Sequence, residues 1–532
     1  MNISTALQLL GLGAGAVAVA GVARWRGWSA PLLLVTAGLA ASYVMSTFFP
    51  DAPRYALDPE IVLLVFLPPL LYSAALESSY LRLRDVSRSV GLLSVGLVLF
   101  SAAVVAVLVR LLVPDMPLAA AFALGAIVAP PDAVAAVAVA RRFGLPRKVI
   151  TILVGESLFN DATALTAYRV AVAAAAGEGI TLLAGAGRFL YAAGAGLVIG
   201  YVLARLLGRM FDRVRDPLIT NTLSLLLPFA AYLAAEAVHA SGVLSVVVVG
   251  VLLGHRMNRV NYGTRLVSYS MWKVIDFFLE VVVFLLIGLQ LPLILQGLGG
   301  ENPWRLAGYA LAVFAAVVLA RFAWTVATTY LPRLSRKVRE SQPKHMMTHV
   351  TVISWAGMRG VVSLAAAFAL PDDFPYRDLL LFLTFVVVIA TLLVQGLTFP
   401  LIIRWLGVSG DQDVYRDNLS EAAAQQAAAT AALARLDELT RDGVLETHAE
   451  VVDRLRSLAE RRAMGAWERL GGGVGQDGEE TPSAVYRRLR RAMLEAERDV
   501  LVRMRDERRI DDEVLRRVTR ELDYEEATLA RE

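Results

Sequence analysis

The sequence predicts an all-α polytopic membrane protein with a helical tail. Hydrophobic residues make up 57% of the 532 residues and charged residues 19%, which is too little charge for a soluble chain of this length. Apolar segments about 20 residues long, the length that spans a bilayer, recur as far as residue 406. Beyond that point the chain is charged and rich in Ala, Glu and Arg. We therefore expect a transmembrane domain over 1–408 and a helical C-terminal domain over 409–532.

About 13 apolar segments are candidate transmembrane helices. They lie near residues 6–24, 30–49, 60–76, 89–113, 117–140, 148–176, 181–207, 217–238, 241–254, 271–296, 305–331, 348–371 and 378–406. Loops after odd-numbered spans carry about twenty basic residues, Arg265 among them, against about three after even-numbered spans. Because cytoplasmic loops are enriched in Lys and Arg, the odd loops are predicted to face the cytoplasm. We therefore predict a multi-pass protein of the inner or plasma membrane. Its N-terminus is expected outside and its C-terminal tail in the cytoplasm.

The composition excludes several kinds of site. The chain contains no cysteine, so disulfides and thiolate metal sites are excluded. The net charge of +4 is dispersed over short loops, which fits membrane topology better than binding of nucleic acid. No phosphate-binding P-loop is present in the sequence.

Two spans are interrupted at their centres. The fifth reads VAPPDAV around Asp132, and adjacent prolines remove two backbone donors and clash with the preceding turn. The twelfth reads AGMRGVV around Arg359, and each glycine weakens a helix interior by about 1 kcal/mol. Broken helices at matching positions of two halves predict an inverted-repeat transporter with two broken crossing helices and a substrate site near the bilayer midplane. Two unrelated kinks are the alternative.

The sixth span carries the polar run GESLFNDATAL. A carboxylate at the centre of a membrane helix costs roughly 2.5–3.5 kcal/mol on insertion scales, so the run is a functional-site hypothesis. On a helix, Glu156 and Asn160 share one face. Ser157 and Asp161 share the adjacent face. With Asp132 and the freed carbonyls beside it, these side chains supply the oxygen ligands that a hard monovalent cation prefers.

Other charges within the spans need partners. Arg359 is buried by its position, so we expect it to pair with one of the carboxylates. Lys273, Asp276 and Glu280 of span ten are spaced for pairing along one helix, and a salt-bridge ladder is the expected arrangement. A cation vestibule is the alternative for these three residues.

The motifs together resemble a known family. GESLFNDATAL, VAPPDAVAAVAVARR, FLPPLLYSA, WAGMRGVVSLAAAFALP and LLVQGLTFP resemble sodium/proton antiporters of the cation–proton antiporter superfamily, in the NhaP-like and sodium/proton exchanger branch. The resemblance covers roughly residues 5–406. It implies that Asp161 carries Na⁺ and H⁺ alternately, that Ser157 supplies an oxygen to the ion, and that Asp132 lies beside it.

The resemblance also implies supporting roles. Glu156 and Arg359 match a buried ion pair that braces the broken helix, and Asn160 is associated with that pair. Pro131 stands where many relatives have threonine, so a side-chain hydroxyl is missing and the ion preference is open.

We therefore expect a secondary transporter, not an enzyme, that exchanges Na⁺ for H⁺ by alternating access in pH and sodium homeostasis. Competition for Asp161 would couple the two fluxes. Asn160, where other branches carry a second aspartate, favours electroneutral exchange. A potassium-selective antiporter and, less favoured because no filter repeats are visible, a cation channel are the alternatives. The expected partners are Na⁺ (or Li⁺ or K⁺), H⁺, membrane lipid and a second copy in a homodimer, with no cofactor and no nucleic acid.

Overall fold

A computed structural model gives the fold of the chain. It describes residues 3–26, 28, 30–48, 62–176, 182–214, 216–290, 294–295, 297–298, 302–334, 346–441, 449–470 and 480–531. Within these ranges the chain forms two compact units, 1–409 and 410–532. The predicted domain boundary lies one residue before this division.

The first unit is built from helices. They are α1 (Ile3–Arg26), α2 (Ala30–Phe48), α3 (Leu67–Glu77), α4 (Tyr80–Asp85), α5 (Ser87–Leu112), α6 (Leu118–Val128), α7 (Ala133–Arg142), α8 (Arg147–Ala175), α9 (Leu182–Phe211), α10 (Pro217–Glu236), α11 (Gly242–Arg256), α12 (Tyr262–Leu289), α13 (Pro303–Tyr330), α14 (Met346–Trp355), α15 (Val361–Phe368) and α16 (Arg377–Leu406). Single π-helical turns interrupt or precede three of them, at Val62–Phe66, Leu92–Leu97 and Thr391–Gln395.

Five of the described helices are long and apolar enough to cross a membrane by length and composition: α5, α10, α13, α16 and most of α9. The two predicted broken spans do not meet this length because each is divided into a pair of shorter helices. Most predicted spans agree with a helix to within a few residues, which confirms the helical fold class. The number of membrane crossings stays a prediction.

One predicted boundary is wrong. Span ten was expected over 271–296, but α12 runs from Tyr262 to Leu289, so Arg265 lies in a helix and not in a loop. The side chain of Asn261 caps this helix by accepting a hydrogen bond from the backbone N–H of Gly263 at 2.9 Å. The first turns of α12 are polar, so hydropathy does not reveal where the helix begins.

Both predicted helix breaks are present, and they contact each other. The first separates α6 from α7, and the second separates α14 from α15. The backbone N–H of Asp132 in the first break donates to the carbonyl oxygen of Met358 in the second, at 2.6 Å. Irregular backbone at membrane depth therefore receives hydrogen bonds from protein, as the bilayer requires.

In the described part of the second unit there are four helices, α17 (Asp411–Arg441), α18 (Ala449–Leu470), α19 (Pro482–Asp506) and α20 (Asp512–Arg531). A small apolar cluster of Leu494, Leu522 and Leu529 joins α19 to α20. Arg490 of α19 donates two hydrogen bonds to Glu525 of α20, at 2.6 and 2.7 Å, and these bonds lower the pKa of the Glu525 carboxyl.

Candidate ion-binding site

Helix α8 carries the predicted polar run into the interior. Glu156 is 1% exposed, Asn160 is fully buried and Asp161 is 7% exposed. The run is helical throughout, so the two adjacent faces expected from the sequence are formed. Less than two turns of this buried helix, from Glu156 to Asp161, therefore present two carboxylates and an amide.

A cavity of about 510 Å³ reaches this helix. Asp132, Ser157 and Asp161 all line it, so the structure brings together the three predicted ion-binding residues. The cavity also extends to Arg82 of α4 and Arg141 of α7, two of the basic residues predicted to face the cytoplasm. The arrangement offers a cation two carboxylates and a hydroxyl in one cavity.

Asp132 is held in place by the backbone around it. Its carboxylate caps α7 by accepting a hydrogen bond from the N–H of Val134 at 2.8 Å. The α-carbon of Gly360, the residue before α15, lies against the same carboxylate: a methyl group there would be 2.6 Å from Cγ of Asp132. The carboxylate is thus positioned between the starts of two half-helices.

Asn160 has a different role from the one expected. Its Nδ2 donates to the carbonyl oxygen of Pro131 at 2.8 Å, which ties α8 to the first helix break. Its Oδ1 has no hydrogen-bond partner among the described residues. The expected association of Asn160 with a Glu156–Arg359 pair is therefore corrected: Asn160 supports the unwound backbone.

The partner of Glu156 is Arg321 of α13, not Arg359. Nη1 and Nη2 of Arg321 lie 2.5 and 2.8 Å from the two carboxylate oxygens, and both side chains are at most 1% exposed. Arg321 also donates to the carbonyl of Ile353 in the last turn of α14, at 3.0 and 3.2 Å. The predicted Glu156–Arg359 ion pair is wrong because another arginine occupies both oxygens.

Arg359 donates to backbone carbonyls instead. Its Nε lies 2.9 Å from the carbonyl oxygen of Val128 and its Nη2 3.2 Å from that of Ala129, at the end of α6. A third bond goes to the carbonyl of Gly357. Because the helix ends here and the N–H of Asp132, which would reach Val128 in a continuous helix, donates to Met358 instead, these helix-end carbonyls need another donor. The guanidinium supplies it, with its positive charge at the negative end of the helix dipole.

The expected salt-bridge ladder of span ten is also wrong. Asp276 accepts a hydrogen bond from the Ser73 hydroxyl of α3, and Lys273 Nζ lies 3.5 Å from the Tyr269 hydroxyl. Asp276 and Glu280 both line the cavity, as the vestibule alternative predicts.

Two functional residues were missed in the sequence. Arg321 is a single charge at the centre of predicted span eleven, which is the signal that could have identified it. Thr391 is less visible because threonine is common in apolar helices. Its hydroxyl accepts a hydrogen bond from the backbone N–H of Arg359 at 3.0 Å and so supports the second break.

The contact between Gly360 and Asp132 gives a testable prediction. In Gly360→Ala, the added methyl group must displace the Asp132 carboxylate, since overpacking of a closed site costs about 1–3 kcal/mol. We expect cation-driven transport to fall by about tenfold. The measurement is initial transport rate in reconstituted vesicles. Gly308→Ala is the matched control, because among the described residues no atom outside its own stretch of α13 lies within 4 Å of a methyl group at that position. Equal transport rates in the two variants would contradict the assignment of Asp132 to the ion-binding site.

Comparison with known proteins identifies similar transport proteins. The chain is 34% identical over 516 residues to a protein of Mycobacterium tuberculosis named as an uncharacterized Na⁺/H⁺ exchanger, covering 94% of this chain and 91% of the relative. It is 31% identical over 389 residues to a protein of Bacillus subtilis named as a sodium, potassium, lithium and rubidium/H⁺ antiporter, covering 70% and 57%. The solved structure of the sodium proton antiporter MjNhaP1 from Methanocaldococcus jannaschii matches with a TM-score of 0.60 at 19% identity, covering 76% of this chain and 99% of that one.

The match to a whole family covers the transmembrane domain. The family described as "Sodium/hydrogen exchanger, transmembrane" matches residues 12–405, which include both broken helices and the whole of α8. The chain therefore belongs to the sodium/hydrogen exchanger family of multi-pass membrane transporters.

Proposed function

We propose that this protein exchanges Na⁺ for H⁺ and carries both ions on Asp161. One observation carries the proposal: a nearly buried carboxylate shares a cavity with Asp132 and Ser157 beside two contacting helix breaks. The site holds the oxygen ligands that a hard cation takes. Membership of the sodium/hydrogen exchanger family supports the same activity.

Coupling follows from competition for one carboxylate. Asp161 is neutralised either by a proton or by a cation, and a bare carboxylate would be penalised on crossing the hydrocarbon region. The site therefore changes its side of the membrane only when loaded. Exchange of one cation for one proton is electroneutral, and Asn160 adds no second titrating group beside Asp161. Asp132, a second carboxylate of the cavity, is a further potential proton site, and protonation there would change the count of one cation for one proton.

The range of cations is a separate part of the proposal. Pro131 carries no hydroxyl, so the side-chain oxygens assigned to the ion come from Asp132, Ser157 and Asp161. The Bacillus relative is named for sodium, potassium, lithium and rubidium. We propose Na⁺ as the main substrate and expect Li⁺ and K⁺ to compete with it.

The orientation and assembly follow the charge distribution and the family. We propose that the C-terminal unit lies in the cytoplasm, that the protein is a homodimer in a cell membrane, and that no resident cofactor takes part. Spans four to six and eleven to thirteen would move against spans one to three and eight to ten.

Purified protein in vesicles tests this function. A sodium gradient imposed across proteoliposomes, with a pH dye inside, will drive proton movement that persists when valinomycin and equal K⁺ on both sides remove the membrane potential. Because protons compete for Asp161, the Na⁺ concentration that gives half-maximal rate will rise as pH falls. Cation-driven current in place of proton movement would indicate a channel. A half-maximal concentration independent of pH would exclude competition at one carboxylate.

A further inference from the structure

Ser363 is a polar residue of the cavity that has no assigned role. It lies in the first turn of α15 and lines the same cavity as Asp132 and Asp161. Its side chain is 1% exposed, and its Oγ has no hydrogen-bond partner among the described residues. A buried hydroxyl without a partner has lost its hydrogen bonds to water and formed none with protein, which costs free energy. Its presence therefore requires an explanation.

The position of Ser363 on α15 points towards the ion site. Gly360, three residues earlier, lies against the Asp132 carboxylate. Gly360 and Ser363 both line the cavity, as Asp132 does, so the start of α15 presents the hydroxyl to the space that the carboxylate also borders. The hydroxyl and the carboxylate therefore border the same cavity.

We propose that the Ser363 hydroxyl is a ligand of the transported cation. Asp132, Ser157 and Asp161 supply oxygens from the first helix break and from α8, and none from the second broken helix. Ser363 would add an oxygen from that helix, so that the cation contacts both broken helices. A bound cation also satisfies the Oγ lone pairs. The proposal rests on the proposed function and deepens it.

The test is Ser363→Ala, compared with Ser245→Ala. Ser245 of α11 is fully buried, its Oγ also has no partner among the described residues, and it does not line the cavity. We expect Ser363→Ala to weaken apparent Na⁺ affinity about tenfold, equivalent to about 1.4 kcal/mol. We expect its Tm to stay equal or rise, because alanine removes a buried hydroxyl that lacks a partner in the empty protein. Ser245→Ala should leave Na⁺ affinity unchanged, and Ser363→Thr, which keeps an Oγ, should restore most of it.

The measurements are the Na⁺ dependence of exchange in proteoliposomes and calorimetric Na⁺ binding to the purified protein. Unchanged affinity in Ser363→Ala overturns the proposal. So does an equal loss in Ser245→Ala, or a loss in Ser363→Ala that accompanies a lower Tm, since a structural hydroxyl would behave in that way. Failure of the proposed function is distinguishable, because the unmodified protein would then show no exchange at all.

Discussion

Asp161→Asn will abolish exchange without unfolding the protein. The amide has nearly the shape of the carboxylate, but it can neither take up a proton nor offer a negative charge to a cation. A charge–cation interaction at 4 Å is worth about 4 kcal/mol at an effective dielectric constant of 20, so cation binding should weaken by about a thousandfold. Sodium-driven proton movement in proteoliposomes is the measurement, and its rate should equal that of protein-free vesicles.

Asp115→Asn is the control for this loss. Asp115 is an exposed carboxylate between α5 and α6 and does not line the cavity, so its replacement should leave exchange unchanged. The thermal unfolding of Asp161→Asn in detergent should match that of the unmodified protein. Exchange at a normal rate in folded Asp161→Asn would exclude Asp161 as the ion carrier.

Arg321→Met will destabilise the protein by about 3–5 kcal/mol, because removing one member of a buried ion pair leaves the other charge uncompensated. Adding Glu156→Gln to this variant should recover part of the loss, since the uncompensated charge is then gone. Arg321 also donates to Ile353, but that bond is lost in both variants and cancels in the comparison. The measurement is the free energy of unfolding in mixed micelles, analysed as a double-mutant cycle.

The same cycle with Arg359 decides between the predicted and observed ion pairs. Arg359→Met should also destabilise the protein, because the carbonyls at the end of α6 lose their donor. Adding Glu156→Gln should bring no recovery, since Arg359 bonds to backbone and not to Glu156. A larger coupling between positions 156 and 359 than between 156 and 321 would refute the observed pairing.

Much of the architecture was predictable because membrane helices satisfy their own hydrogen bonds. A segment's length and hydropathy then define it almost without tertiary information. The breaks at Asp132 and Arg359 were equally visible, since proline and glycine act on the backbone locally. Asp132 and Asp161 lie in consecutive spans of the same half, so bringing them together required only that these neighbouring helices pack against each other.

The partners of the buried charges were not predictable in the same way. Sequence shows that Glu156 needs a cation, but two arginines in different spans satisfy that requirement equally well. The choice depends on which guanidinium already donates to backbone carbonyls that have no other donor. The packing of the helices decides this. The start of α12 was missed for a related reason, because a cap such as Asn261 is a local feature that hydropathy averages away.

The arginine that binds the end of α6 comes from the other half of the chain. If the halves arose from one duplicated gene, they were free to diverge only where they do not touch. The end of α6, which the two following prolines impose, and Arg359 do touch, through the carbonyls of Val128 and Ala129. We therefore expect these positions to have changed together in evolution. Descendants of the same ancestor that lack the prolines should also differ at the position of the arginine.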